Sequence, residues 1–284
     1  MATPQSTEQR ADPCWACGDH PVVDETYAAV GLRRCPRCGL LYAADPDRSE
    51  ATYDAEYFEE YAEGGAYEGD PAQRRHESRA RMRYVRRFAS GGRLLEVGAA
   101  AGYFLEAAAK AGFEVTGIEP VAPVAERAAQ RLGVPVLAGL IEDLDLPSGA
   151  FDVVCAWHVV EHIPDPNAQL QRLRDTLRPG GHLLLEVPNV GSVIARREGT
   201  EWVRLFPEHH VSQFAPRSLR ALLGRAGLEV VDSETVSALS YLRPGRAVRP
   251  RSLVAFAKEA AGVRAPSLRH PWKHEMLRAA ARRG

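Results

Sequence analysis

The sequence predicts an α/β protein: a doubly wound parallel sheet preceded by a small cysteine-built module. Three observations carry that prediction. From Arg93 onward, short apolar runs alternate with amphipathic or alanine-rich segments, the pattern of β-α-β units. The first run ends in a glycine-bearing turn, Gly98-Ala99-Ala100-Ala101-Gly102, where a sheet of this kind lets a ligand approach the backbone. Near the N-terminus stand two Cys-x-x-Cys pairs, separated by seventeen residues.

Taken in order, residues 1–12 read as disordered, 13–44 as a zinc-ribbon-like segment, and 45–90 as an N-terminal lid and helical connection. In the connection, Gln73–Phe88 reads as a charged helix with Met82, Val85 and Phe88 turned inward. Strands are expected at Arg93–Val97, Glu114–Ile118, Val134–Ala138, Phe151–Ala156, His182–Val187 and Leu228–Ser233. Helices are expected at Gly102–Ala111, Val124–Leu132, Asn167–Leu177 and Pro216–Ala226, with a turn at Arg178–Gly181. The main domain is therefore set at 91–240, followed by an extension at 241–284 that includes a possible helix at Ser252–Ala261.

Composition bounds the rest. With 284 residues, 45% apolar and 26% charged, the chain has enough material to bury a real core. It holds no run of eighteen apolar residues, so no transmembrane helix is expected. Met1–Arg10 is polar, so no secretory leader is expected either, and the expected location is cytoplasmic. The net charge of −1 hides an asymmetry. Arg243–Gly284 holds eleven Lys/Arg against two acids, a net of +9, and the rest of the chain carries −10. Such a tail could meet RNA, an acidic surface or the protein's own body; a solvated, partly helical extension is the expectation.

In the cysteine module, Cys14-Trp-Ala-Cys17 and Cys35-Pro-Arg-Cys38 are each followed by glycine. Two thiolates three residues apart grip one metal if the chain turns tightly, and the glycine permits that turn. Two such knuckles make a closed tetrahedral zinc site with no open position, hence structural and not catalytic. The alternative, two disulfides, suits an exported chain better. Val22–Leu32 is expected to form the hairpin beneath the knuckles. The fifth cysteine, Cys155, lies in an apolar run and reads as core.

The turn after the first strand lacks two glycines of the dinucleotide pattern, since Ala100 and Tyr103 stand where glycine is needed. An acid does lie inside the first strand, Glu96, and another ends the second, Glu119, placed to accept both hydroxyls of a ribose. Together these features resemble class I S-adenosylmethionine-dependent methyltransferases, with a Rossmann-like sheet. Phe151-Asp-Val-Val154, Trp157-His-Val-Val-Glu-His162 and Leu177-Arg-Pro-Gly-Gly181 resemble the family's later motifs in order and spacing, over roughly residues 90–235. The resemblance implies S-adenosyl-L-methionine as cofactor, held by Glu96, Gly98, Ala99, Gly102, Tyr103, Phe104, Glu119, Pro120, Trp157 and His158. It implies Ile141 and Glu142 beside the adenine and Tyr57 in a lid with Tyr53, Phe58 and Tyr61; packing between ribbon and domain is the alternative for those four. Two departures stand out. Ala100 replaces the loop's usual central glycine, and Leu140 replaces a common aspartate.

Methyl transfer to oxygen needs alignment and a proton acceptor. His158, His162 and His209 are the candidate catalytic residues, with His210 beside them. His158, Glu161 and His162 share one face if their segment is helical. That segment resembles the Glu-x-x-Glu-His run of ubiquinone-pathway O-methyltransferases, which are associated with a divalent cation; His158 here replaces the first glutamate. Pro207-Glu-His-His210 precedes a helix start, Phe214-Ala-Pro-Arg-Ser-Leu219, in a region that lines the acceptor pocket of such enzymes.

The resemblance thus implies a methyltransferase for a small polar acceptor, a sugar or secondary metabolite, most simply at oxygen. Rival readings are an RNA base methyltransferase using the basic tail, a nucleotide-sugar C-methyltransferase, and a non-catalytic cofactor-sensing scaffold. The expected partners are the cofactor, structural zinc and a small-molecule acceptor, with nucleic acid reached only through the tail and no membrane. The sequence leaves the oligomeric state open.

Overall fold

The computed structural model describes residues 13–43, 70–237 and 274–284. The lid residues Tyr53, Tyr57, Phe58 and Tyr61, the N-terminal dozen and the helix expected at 252–261 lie outside them.

The main domain is built on a seven-stranded sheet. Strands β3 (Gly92–Val97), β4 (Phe113–Glu119), β5 (Val136–Ala138), β6 (Phe151–Trp157) and β7 (Leu177–Pro188) run parallel. Strands β9 (Leu228–Val236) and β10 (Met276–Arg283) complete it in the order β5-β4-β3-β6-β7-β10-β9. The order reverses at β3, so ligand should collect beyond the carboxyl ends of β3, β4 and β6. The helices are α1 (Glu25–Ala28), α2 (Pro71–Val85), α3 (Tyr103–Lys110), α4 (Ala122–Leu132), α5 (Asn167–Thr176), α6 (Val193–Glu198) and α7 (Pro216–Arg225). Helix α2 starts where Asp70 accepts from the backbone N–H groups of Ala72 and Gln73, with Pro71 in the first turn. Of its three expected inward residues, Met82 and Val85 are buried, and Phe88 packs partly buried beyond the helix end.

Three expectations are corrected. The described end of the extension, residues 274–284, does not stand apart from the main domain. Met276–Arg283 is a strand inserted antiparallel between β7 and β9. Its alanines 279–281 are buried against the layers, and Arg278 is buried too. The domain boundary at 240 therefore cuts off a strand of the sheet. Secondly, the segment between the knuckles is a bridge at Val22 to Arg34 followed by one helical turn, α1, capped by Asp24. The hairpin pairs β1 (Leu32–Arg34) with β2 (Leu41–Ala43), around the second knuckle. Thirdly, Arg178–Gly181 is an excursion inside β7. Its pairing with β6 jumps from Phe151–Leu177 to Val153–His182.

The ribbon is bonded into the main domain. Strand β2 pairs with β8 (Ser212–Gln213), making a three-stranded sheet across the two units. Trp15, Leu40 and Tyr42 share one buried cluster with Val211, Phe214, Leu219 and Leu222. Arg225, at the end of α7, donates to the carbonyls of Cys14 and Trp15 at 3.2 and 3.0 Å. That contact ties the first knuckle to the domain.

Candidate active site

The cofactor loop follows β3. Gly98 and Gly102 adopt φ of +71° and +75°, a region that favours glycine. A Cβ on Gly98 would lie 2.7 Å from Val159 Cγ2, and one on Gly102 would lie 2.6 Å from Leu132 Cδ1. Ala100 sits at φ +47° between them, and its N–H donates to Glu119 Oε2 at 2.8 Å. Glu119 Oε1 accepts from Val121 N at 3.1 Å. The carboxylate thus fixes the loop and keeps lone pairs for hydroxyl donors. Burial raises the pKa of Glu119 against those two N–H bonds.

Glu96 is fully buried, and its Oε2 has no hydrogen-bond partner among the described residues. Burial holds its pKa well above the ordinary value, opposed by Arg81 and reinforced by Glu119. An orphaned acceptor of this kind suits a bound cation. Phe104 packs edge-on against Trp157, with centroids 5.2 Å apart. The Tyr103 ring lies under two guanidinium groups, Arg75 at 5.3 Å and Arg131 at 5.0 Å. Arg131 also donates to Ala101 O at 2.6 Å, so Tyr103 and its cations brace the loop from outside. Ala99 and Ile141 are buried, Pro120 is half-buried and Glu142 is exposed. The Ile141 carbonyl is held by Arg172 at 3.2 Å.

Beyond β6 the expected helical face is replaced by a sharp turn. His158 takes φ +59°, and Val160–His162 is one 3₁₀ turn. His158 is pinned at both nitrogens: Nδ1 is 3.0 Å from Glu161 Oε1, and Nε2 is 3.2 Å from Glu186 Oε1. Burial works to lower its pKa, but the two carboxylates outweigh it and raise it. Glu186 also meets Arg81 at 3.0 Å and Arg278 at 2.7 Å. Burial opposes ionisation of Glu186, yet those arginines and His158 hold its pKa well below the ordinary value. His158 is therefore engaged by a carboxylate at each ring nitrogen, and those contacts favour its protonated form.

His162 and His210 behave differently. His162 Nδ1 lies 3.1 Å from His209 O, and His210 Nδ1 lies 3.0 Å from Arg204 O. Each Nδ1 therefore carries the proton, leaving Nε2 as the lone-pair nitrogen. Burial brings the pKa of His162 down to about 4 and lowers that of His210. Both are neutral near pH 7. Their rings meet edge-to-face at 4.7 Å. Glu161, His162 and His210 each offer one ligand-type atom within 4.8 Å of the others. His209 stacks on Phe206, with ring centroids 4.8 Å apart, and supplies the carbonyl that orients His162.

Sequence reasoning missed Arg81, Glu186 and Arg278. Arg81 reaches in from α2, over the Trp157 ring at 5.5 Å. Their signal would have been three charges whose burial the pattern does not reveal.

In the ribbon, the four sulfurs lie within 4.8 Å of one another. Cys14 and Cys38 are 3.5 Å apart, Cys17 and Cys35 are 3.4 Å apart, and all are free thiols. Cys155 is buried in the sheet, as expected.

Residues 72–233 match the family described as "Methyltransferase domain". The chain is 35% identical over 176 residues to a ubiquinone biosynthesis O-methyltransferase of Xanthomonas axonopodis, covering 57% of this chain and 72% of that one. Among solved structures it resembles a Burkholderia thailandensis 1,6-didemethyltoxoflavin-N1-methyltransferase, solved with its ligand and S-adenosylhomocysteine. That likeness has a TM-score of 0.54 and 22% identity, and covers 86% of this chain and 95% of that one. A SAM-dependent methyltransferase of Thermotoga maritima superposes with a TM-score of 0.55 and 20% identity, covering 80% and 98%. The loop, the two acids and the strand order agree with these matches, and the chain belongs to the methyltransferase-domain family as a class I S-adenosylmethionine-dependent methyltransferase.

Proposed function

We propose that the protein is an O-methyltransferase acting on a hydroxyl of a small acceptor. The observation that carries this reading is the pair of neutral histidines, His162 and His210, each with a ring nitrogen within 4.8 Å of a Glu161 carboxylate oxygen. The names of the 35%-identical relatives support oxygen as the target. They lend no support to a sugar acceptor.

The cofactor cradle fits S-adenosylmethionine. Glu96 Oε2 is an orphaned acceptor for its ammonium, Arg81 a cation for its carboxylate, and Glu119 an acceptor for its ribose hydroxyls. Gly98 and Gly102 give the loop its positive-φ turns and let Val159 and Leu132 pack close behind it. Ile141 and Glu142 then flank the adenine. When bound, the cofactor supplies an electrophilic methyl group on sulfonium. The chain's own task is to orient the acceptor and take its proton, and an imidazole Nε2 of the His162–His210 pair is the acceptor for it. Arg81, Arg278 and the clamped His158 hold Glu186 in place while Glu161 faces the pair.

The donor set of Glu161, His162 and His210 also suits a divalent cation, which when bound would lower the pKa of an acceptor hydroxyl. His158, 3.0 Å from Glu161, already engages that carboxylate and favours the metal-free reading. The four cysteines suit a structural zinc that locks the ribbon onto β8 and Arg225.

RNA is the weaker partner. Of the basic tail, Arg278 pairs with Glu186 and Glu234, Arg282 with Glu229, and Arg283 with backbone carbonyls. These three charges serve the fold. Methyl-labelled cofactor added with enzyme to a cell extract tests the reading: label is expected in small molecules, and label in RNA would overturn it. Loss of turnover in His162→Gln with cofactor binding retained is the second expected result.

A further inference from the structure

The ribbon and the main domain do not close fully where they meet. A cavity of about 570 Å³ remains between them, the size of a small-molecule site. Its ribbon wall comes from α1, β1 and β2. Its domain wall comes from the turn after β7 and from α6 and α7. Ligand sites occur preferentially at junctions of this kind. Neither the cofactor loop nor the His162–His210 pair lines it, so methyl transfer leaves it without a role.

Tyr27, Leu41 and Val190 give the cavity an apolar floor. Three cations stand around that floor: Arg34 on β1, Arg196 on α6 and Arg217 on α7. No acidic side chain is among the described lining residues. Like charges around one hollow repel until an anion joins them. Each guanidinium also keeps donors to give. Arg34 pairs through Nη1 with Asp24 at 3.1 Å, yet its side chain stays 51% exposed. Arg196 donates through Nε and Nη2 to the Gly191 carbonyl, at 3.0 and 2.6 Å. That contact fixes the side chain and leaves Nη1 over. Arg217 is exposed and has no ion pair or hydrogen bond among the described residues.

The arrangement selects the kind of anion. A carboxylate is planar and takes its forked bonds in one plane. A phosphate dianion offers three terminal oxygens in a tetrahedral array, so donors arriving from three separate elements each find one. Free phosphate would fill a small part of the cavity and leave the apolar floor wet. We propose that this cavity is a second ligand site, and that it takes a phosphorylated small molecule whose apolar body lies on the Tyr27–Leu41–Val190 floor. Bound there, the ligand ties β1 of the ribbon to α6 and α7 of the domain. The proposal stands apart from the choice of methyl acceptor, and its test does not read turnover.

Calorimetry on the full chain at low salt tests it, with S-adenosylhomocysteine at saturation to keep the probe out of the cofactor site. The probe is 1-naphthyl phosphate, and 1-naphthol and inorganic phosphate are its two halves. The whole probe is expected to bind at least about tenfold more tightly than either half. Arg217→Ala and Arg34→Ala should each weaken it roughly five- to twentyfold, the range of one charge-assisted hydrogen bond at a half-open site. Arg217→Lys should recover part of the loss, since an ammonium lacks the fork. Both arginines are exposed, so melting temperature and S-adenosylhomocysteine affinity without the probe should stay as in wild type. With the probe, wild type should melt higher and the double variant should not. His162→Gln should bind the probe as wild type does. Four results would each overturn the proposal: no binding by wild type, equal binding of 1-naphthol, unchanged affinity in both arginine variants, or loss of binding in His162→Gln. The last would move the ligand to the reaction site.

Discussion

Arg278 in the last strand lies directly across from Glu186 in β7, with Nε 2.7 Å from Oε2 and both side chains buried. On its other side the same arginine pairs with Glu234 at 3.3 Å. Glu234 and Asp232 are held by Arg87. One cation from the chain's end thus sits in cross-strand register with two carboxylates, and through Glu186 it reaches His158. Removing it leaves two buried acids underpaired, which costs about 3–5 kcal/mol. Arg278→Met should lower the unfolding free energy by that order and the denaturation midpoint with it. Arg278→Lys should recover part of it, since one ammonium cannot reproduce the forked contacts. A midpoint within error of wild type in Arg278→Met would remove the network from the stability account.

The ribbon gives a second prediction. Four sulfurs within 4.8 Å of one another, two of the pairs at 3.4 and 3.5 Å, match the crowding of thiolates around one zinc, for which Zn–S is ~2.3 Å. One zinc per chain is expected by elemental analysis. Cys35→Ser should lose it and lower the melting temperature. Because β2 pairs with β8, just after the loop that carries His209 and His210, acceptor turnover should fall more than cofactor affinity. Full metal loss with an unchanged melting temperature would contradict the bonded interface.

The parallel strands were legible because each is a short, nearly continuous apolar run, and the cofactor loop because its glycines and acids sit at chemically required spacings. Strand β10 was not legible. Met276–Arg283 reads Met-Leu-Arg-Ala-Ala-Ala-Arg-Arg, with alanines and arginines that favour helix and a charge excess that suggests solvent. It becomes a strand because β7 and β9 leave a slot between them, and acids on both neighbours take its arginines. Tertiary context of that sort outweighs local propensity. The same holds at the site. The spacing of His158, Glu161 and His162 suggested one helical face, but the left-handed His158 sends its ring to two carboxylates and leaves His162 to meet His210 from a distant loop.

Cofactor binding should be coupled to a proton. Burial holds the pKa of Glu96 well above the ordinary carboxylate value, so its carboxyl keeps a proton to higher pH before ligand arrives. An ammonium beside Oε2 favours the charged form instead. Binding of S-adenosylhomocysteine, which carries the same amino-acid end, should therefore release a proton and tighten as pH rises through the raised pKa. Calorimetry in buffers of different ionisation enthalpy measures that release directly. Glu96→Gln should bind more weakly and release none. Identical proton counts for the two proteins would place the ammonium elsewhere.

Stability on the acid side should depend on His162. Its pKa is lowered by burial to about 4 in the folded protein, against about 6.5 for an unfolded histidine. Between those values the unfolded chain binds more protons, so stability falls as pH falls. At pH 5 the loss is about 1–3 kcal/mol from this residue, and His210, lowered in the same direction, adds to it. His158 acts with the opposite sign: its raised pKa contributes stability that is present below about 6.5 and lost as pH rises through the folded value. Glu106, held down to about 2 by Lys110 and two arginines, loses its contribution only below about 4.5, so the windows separate. Denaturation of His162→Gln followed from pH 7 to 4.5 should show a shallower decline than wild type. A parallel decline would mean that His162 is already protonated in the fold, and would end its assignment as the proton acceptor.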